Sequence, residues 1–337
     1  MVNIGIIGLG SMGLYHATNI SKSIDAQIVA VSDINKNGYQ TLLNLNNNTK
    51  DIKFYEDPFK LISDSNVEAV VIASPDSTHY ELLKMCLVNK KKVFCEKPVA
   101  SESKKALDLV NKESQLNQRY ISLGFNRRFD RNFIKIKSIL NNLELGDSLL
   151  YKGIHRNERA FYEANSAFIL NNTAGHDVDI SSYLLNSRAK EVSVLGIKSN
   201  PLLNDDCADL LLLTIIFENE KVANIEIFVN ARYGYEVEGE VICTKGVVNY
   251  CNNRTVTIKK DNKKENIITS DYRKYFEQSY IDEMQNWLSY LNGKSKSKLA
   301  TVFDGYAALK TTEVASKAFL SKKFESVNLI KTPRLYI

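Results

Sequence analysis

Apolar and polar positions along this chain follow two regimes that change over near residue 123. Before that point, apolar runs of strand length ("VNIGIIG", "AQIVAVSD", "DIKFY", "VEAVVIAS", "KKVFCEK", "RYISLGF") are separated by helically spaced segments such as "SMGLYHATNIS", "STHYELLKMCLVN" and "SKKALDLVNKESQ". Strands alternating with helices at this rhythm predict a doubly wound parallel sheet, with ligands at the carboxyl ends of its strands. After it, "RRFDRNFIKIKSILNN" (127 to 142) and a run from about Asn172 to Leu185 read as helices. They lead into "KEVSVLGIK", "ADLLLLTIIFEN", "VANIEIFVNAR", "YEVEGEVICTK", "GVVNYC" and "TVTIKK", joined by Asn, Gly and Lys turns. Short links between successive strands predict a large, mostly antiparallel open sheet, whose outer face is a candidate dimer or tetramer surface. Residues 302 to 322 form one amphipathic pattern, a helix expected to pack back toward the first domain. The expectation is an α/β chain: residues 1 to 122 a Rossmann dinucleotide-binding domain, residues 123 to 337 an α+β domain for substrate binding and oligomerisation.

Composition narrows the class. With 337 residues, 44% hydrophobic and 25% charged, the chain reads as a soluble globular protein. Its longest apolar run, "LLLLTIIF" (210 to 217), is too short for a membrane span, and "MVNIGIIGLG" has no basic segment before its apolar stretch, so a cytoplasmic protein is expected. Five cysteines without a C-x-x-C pair point to buried, reduced thiols, and no His/Cys cluster has the spacing of metal ligands. Net charge is +5, and the basic runs at 89 to 93, 259 to 266 and 294 to 298 lack interleaved aromatics. They read as solvated turns, not a nucleic-acid surface, while the positive balance suits an anionic cofactor. "NLNNN" (44 to 48) reads as a loop.

The first domain carries a specific chemistry. "GLGSMG" places Gly8, Gly10 and Gly13 in G-x-G-x-x-G between a strand and a helix, with Ser11 and Met12 inside the loop. Gly8 suits the tight turn, Gly10 the approach of a pyrophosphate, and Gly13 close packing of helix on strand, while the helix N-terminus offers N–H donors to phosphate. Asp33, twenty residues beyond Gly13, ends the second strand, where a carboxylate accepts ribose hydroxyls and repels a 2′-phosphate. NAD is therefore expected over NADP. Two further strand ends follow: "SPDSTH", with Ser74 beside the cofactor and His79 in the first turn of the next helix near it, where a structural role is expected, and "EKP", with Glu96 and Lys97. A lysine there is placed to donate to a substrate oxygen.

In the second domain the candidate is "FILNNTAGHDVDI" (168 to 180). On a helix, residues 172, 176, 179 and 183 share one face, so Asn172, His176 and Asp179 would converge. The same letters also suit a helix capped by Asn172 or Thr173 with His176 as a buried imidazole.

With the Gly loop, Asp33, "EKP", "GHDVDI" and an antiparallel sheet in this order, the chain resembles the glucose-fructose oxidoreductase/inositol dehydrogenase/rhizopine-catabolism (Gfo/Idh/MocA) family over essentially its whole length. "GFNRRFD" (124 to 130), "HRN" (155 to 157) and "IFVNARYGYEVEGEV" (227 to 241) resemble its bacterial myo-inositol 2-dehydrogenases. The resemblance implies an NAD-dependent enzyme that oxidises a cyclic polyol to a ketone. Lys97 would orient the hydroxyl and His176 would be the general base, while Arg127, His155, Thr173, Asp179, Tyr235 and Tyr280 would line the polyol pocket. Where the family pattern has an Asp assisting the base, this chain has Asn172. That departure leaves three readings open: an inositol dehydrogenase in which Asp177 or Asp179 partly replaces the missing charge, a dehydrogenase for another inositol or sugar, and a non-catalytic NAD-binding sensor or assembly subunit.

Overall fold

The computed structural model describes residues 1–45, 51–159, 166–199, 207–250, 256–260 and 263–337, with backbone alone for 45, 256–260 and 263–267. They form two compact units. The first comprises Met1–Asn126, Tyr280–Leu309 and Lys331–Ile337, and the second Arg127–Ser279 and Lys310–Ile330.

The first unit alternates as the apolar pattern predicts: β1 (Val2–Ile7), α1 (Ser11–Ser21), β2 (Ala26–Ser32), α2 (Asn37–Leu45), β3 (Lys53–Tyr55), α3 (Pro58–Ser63), β4 (Ala69–Ile72), α4 (Asp76–Val88), β5 (Lys92–Glu96), α5 (Ser103–Gln115) and β6 (Ile121–Gly124). Every residue of β4 and β6 is buried, the mark of strands covered on both faces. The chain continues through α6 (Arg131–Asn141), β7 (Ser148–Arg156), α7 (Ser166–Asn172), α8 (Ala174–Leu185), β8 (Ala189–Ile197), β9 (Leu210–Phe217), β10 (Val222–Phe228), β11 (Glu236–Cys243), β12 (Gly246–Tyr250), β13 (Val256–Lys260), β14 (Lys263–Ile267), α9 (Tyr272–Tyr275), α10 (Glu277–Leu291), β15 (Ala300–Thr301), α11 (Val302–Ser321) and β16 (Glu325–Ser326).

The first sheet has the order β15-β6-β5-β4-β1-β2-β3, parallel except for β15. Strand order reverses between β1 and β4, and the turns that leave their carboxyl ends are the Gly loop and the Ser74 segment. Within this unit α10 supplies the buried Met284, Trp287 and Leu288, with Trp287 5.8 Å from Phe94.

The second sheet runs β12-β11-β7-β10-β9-β8-β16 and is antiparallel except where β10 lies parallel to β7. Strand β7, absent from the strands read off the sequence, is third in this order, between β11 and β10. Its outward Lys152 interrupts the apolar run, and the tertiary fold gives that charge a partner in Glu240 on the register-matched strand, 3.1 Å away. Helix α10 was also unassigned, although Met284, Trp287, Leu288 and Leu291 have helical spacing.

Five local expectations change. The helix expected over 127–142 begins only at Arg131, because the Asp130 carboxylate caps it by accepting from Asn132 N at 2.9 Å. The helix expected from Asn172 is two segments meeting at Thr173, which keeps right-handed helical dihedrals and makes no side-chain cap. The basic run at 89 to 93 is not simply a solvated turn: Lys91 Nζ donates to Asp64 O, and Lys92 Nζ donates to Tyr290 Oη, each at 3.0 Å. Their aliphatic stems cross half-buried surface while each ammonium reaches an acceptor. The run at 259 to 266 spans the β13–β14 hairpin, with 261–262 outside the described residues. Asn44 and Leu45 end α2, and the rest of the expected loop, 46–48, lies outside the described residues. Cys86, Cys95, Cys207 and Cys243 are buried free thiols, as expected, and Cys251 falls outside the described residues.

Candidate active site

In the first unit the glycine loop separates what the fold needs from what a ligand needs. A Cβ on Gly8, whose φ is +88°, would stand 2.6 Å from Ser74 N, and one on Gly13 would stand 1.9 Å from Gly8 O. Both positions are closed by the protein itself. At Gly10 an added Cβ would meet no described atom within 4 Å, so the protein's own packing does not demand glycine there. The space suits a pyrophosphate brought against the backbone. Gly10 is also the N-cap of α1, which carries no acid in its first turn, so the positive end of the helix dipole at the glycine turn suits an anion. Asp33 Oδ2 accepts from Leu9 N at 2.6 Å and Oδ1 from Asn35 N at 3.0 Å. One carboxylate thus braces the glycine loop and stands at the end of β2, where a ribose is expected. The residues present fit NAD, which supplies the hydride acceptor when bound.

At the next strand ends, Ser74 Oγ and Thr78 Oγ1 are 2.7 Å apart. His79, fully buried in the first turn of α4, has Nε2 2.9 Å from Ser74 O and Nδ1 2.6 Å from Pro98 O. Glu96 Oε1 pairs with His16 Nε2 at 2.7 Å, and half-buried Lys97 follows in a turn with a cis bond to Pro98. Tyr280, read from the sequence as lining a pocket, belongs to this unit, where its ring meets Tyr15 of α1 edge-on at 5.7 Å.

In the second unit, consecutive arginines meet alternate aspartates. Arg127 pairs with Asp177, and Arg128 holds Asp179 in a two-pronged bridge, Nε to Oδ2 at 2.8 Å and Nη2 to Oδ1 at 2.6 Å. His155 Nδ1 lies 2.7 Å from Asp177 Oδ2 and 3.0 Å from Arg127 Nη2. One ring nitrogen cannot donate to the first and accept from the second; the shorter contact favours Nδ1–H donating to Asp177, which leaves Nε2 to accept from Tyr235 Oη at 3.3 Å. Arg127, His155, Asp177 and Tyr235 are all buried, so Arg127 and His155 are not surface salt-bridge residues. Burial pushes the Asp177 carboxyl up, but Arg127 and His155 reverse this and hold it below the usual 3.8. Burial likewise works against the Arg127 charge, and Asp177 outweighs it, so the guanidinium binds its proton more firmly than usual. Burial pushes Tyr235 up to about 12.

This hub joins β7, the residues before α6 and the first turn of α8, where a buried acid also favours the helix dipole. From Ala174 to Ser181 every side chain is buried except His176, with half-buried Asn172 and Thr173 just before it. The imidazole is thus the one half-buried side chain in the first two turns of this helix. Asp177 and Asp179 are each bound to an arginine, so their charge is already balanced. Asp177 in the hub, Arg128 and His16 went unassigned in the sequence reading; the doublet "RR" against "D-x-D" was the available signal for the first two.

A parallel sheet whose glycine turn and acidic strand end fit NAD defines a nicotinamide-dependent oxidoreductase. Residues 2–125 match the oxidoreductase family with NAD-binding Rossmann fold, and residues 133–249 match the Gfo/Idh/MocA C-terminal domain. The chain belongs to the Gfo/Idh/MocA family, and its cofactor is NAD. It is 30% identical to inositol 2-dehydrogenase 2 of Saccharopolyspora erythraea over 99% of this chain and 98% of that one. In fold it is similar to myo-inositol dehydrogenase from Lactobacillus casei in complex with NAD(H) and myo-inositol, with TM-score 0.93, 24% identity and all of both chains covered. It is also similar to scyllo-inositol dehydrogenase from Lactobacillus casei, with TM-score 0.87, 24% identity and 97% and 99% coverage.

Proposed function

We propose that this enzyme oxidises a ring hydroxyl of a cyclic polyol to a ketone with NAD, and that myo-inositol, giving the 2-keto compound, is the leading substrate. The observation that carries the reading is His176, the one side chain of Ala174–Ser181 that is not buried, on a helix immobilised by two arginine–aspartate pairs. The name of the full-length relative supports the substrate class. In the proposed mechanism Lys97 donates to the reacting hydroxyl and holds it, and His176 accepts its proton directly or through water, while NAD held by the glycine turn and Asp33 would supply the acceptor for the carbon-bound hydride. Arg127 and His155 act mainly by fixing α8, and Thr173, Asp179, Tyr235 and Tyr280 remain candidates for shaping the polyol site. Ser74, His79 and Glu96 frame the cofactor side.

Asn172 favours a second reading, a dehydrogenase for a different inositol or a sugar. An amide is uncharged and cannot stabilise an imidazolium as a carboxylate does; in a serine-protease triad the same exchange costs roughly 10⁴-fold. A balanced Asp177 and Asp179 are poor substitutes for that charge, so a device of specificity, in which the amide donates to a substrate hydroxyl, gains weight. A non-catalytic role is least supported, since Lys97 and His176 are both retained. The outer face of the second sheet carries exposed Leu195 and Ile197 in register with Leu212 and Leu210, which suits a homodimer or homotetramer acting in the cytoplasm.

The test compares initial rates of NADH formation on a panel of inositols and hexoses for the natural chain and Asn172→Asp. A best rate on myo-inositol that rises with Asp supports the first reading. Another polyol that wins and is harmed by Asp supports the second, and NAD binding without turnover on any member rejects both.

A further inference from the structure

Two of the chain's four histidines, His16 and His79, are fully buried in the first unit, and both end on the tripeptide Glu96-Lys97-Pro98. His16 comes from α1, the helix whose N-terminus faces the expected pyrophosphate, and reaches the Glu96 carboxylate at 2.7 Å. Its ring is wedged edge-on against Phe94 at 5.1 Å, which in turn packs on Trp287. Gly124 leaves room for this arrangement, since a Cβ there would stand 3.2 Å from Glu96 Oε2. His79 comes from α4 and bridges the Pro98 carbonyl and the Ser74 carbonyl at 2.6 and 2.9 Å. A ring with one proton can donate to one of these carbonyls; satisfying both takes a proton on each nitrogen.

We propose that His16 and His79 are positioning residues that clamp the Glu96-Lys97-Pro98 turn from both sides and so place the Lys97 ammonium. The proposal rests on the reading of Lys97 as the group that orients the hydroxyl. Lysine has a long, flexible stem, so its amine is placed only as well as its backbone is held. The His79 ring ties that backbone, through the Pro98 carbonyl, to the Ser74 strand end, and the His16 ring ties the Glu96 side chain to the glycine-loop helix. Lys97 and NAD therefore share one rigid frame, and a shift of about 1 Å in such a frame can cost about 10²-fold in rate.

The test is a double-mutant cycle. His16→Phe and His79→Phe remove the donors and keep ring bulk; His16→Gln and His79→Gln restore one donor. Each is made in the natural chain and in Lys97→Ala, and hydride transfer is followed in single turnovers with enzyme stoichiometric to NAD, so that slow rates stay measurable. The Phe variants are expected to lose about 10- to 100-fold in the natural chain with NAD affinity within about 3-fold. The Gln variants should recover part of the loss, and the Phe changes should have under about 3-fold effect once Lys97 is gone. Equal losses in both backgrounds, or a loss confined to NAD affinity or thermal stability, would overturn the clamp. If a Phe variant does not fold, Glu96→Ala breaks the His16 link from its 14% exposed end and is judged by the same cycle. Lys97→Ala with natural turnover would instead reject the role of Lys97 itself.

Discussion

The two units present their chemistry by different physical means. In the first, the groups expected to meet the ligand are chiefly backbone N–H groups at a glycine turn, positioned by strands buried on both faces. In the second, the group expected to meet the ligand is one half-buried imidazole, on a helix held by side-chain charges that are themselves buried. A backbone site depends on the absence of a side chain at particular positions. A side-chain site depends on partners fifty residues away, as in Arg127 with Asp177.

The sharpest break of this contrast comes from His176→Ala, which should lower turnover by about 10²- to 10⁴-fold, the range of general acid–base catalysis, with NAD affinity within about 3-fold. Steady-state NADH formation and NAD titration check it, and a natural rate would remove the imidazole from the chemistry. Next in size is Asp177→Asn. It leaves Arg127 buried with an uncompensated charge and is expected to cost about 3–5 kcal/mol in denaturant unfolding.

The same substitution tests a pH dependence. The folded Asp177 carboxyl is depressed below 3.8, so its contribution is present above the unfolded value and is lost as pH falls through the folded one. The natural chain should therefore lose stability in acid below about pH 4 more steeply than Asp177→Asn. The smallest effect sharpens the first unit. Gly10→Ala should weaken NAD about tenfold, roughly 1.4 kcal/mol, with unfolding unchanged, whereas Gly13→Ala should cost about 1–3 kcal/mol of stability through overpacking. Equal stability losses at the two glycines would erase the distinction between ligand-driven and packing-driven positions.

Much of the first unit was legible because its information is local. The runs of β1 and β2, the helices Ser11–Ser21 and Ser103–Gln115, the glycine loop and Asp33 lie within short windows, where period and spacing suffice. The second unit was read less completely. Strand β7 carries Lys152 on its outer face and looks broken until Glu240 is beside it, and the Asn172 helix looked single until Thr173 was seen between α7 and α8. His79 reads from the sequence as a first-turn histidine with a structural role near the cofactor, and the fold supplies the partners of that role, the Ser74 and Pro98 carbonyls.

By itself, the sequence determined the alternation of the first unit, its NAD-binding turn and the succession of strands β8 to β12, because each follows from hydrophobic period or from residues near one another in the chain. Only the tertiary structure decided which carboxylates are spent. Asp177 and Asp179 carry no local sign of being bound to Arg127 and Arg128, nor Glu96 of being bound to His16. Buried charges need partners, and the choice of partner is made by packing across long separations in the chain.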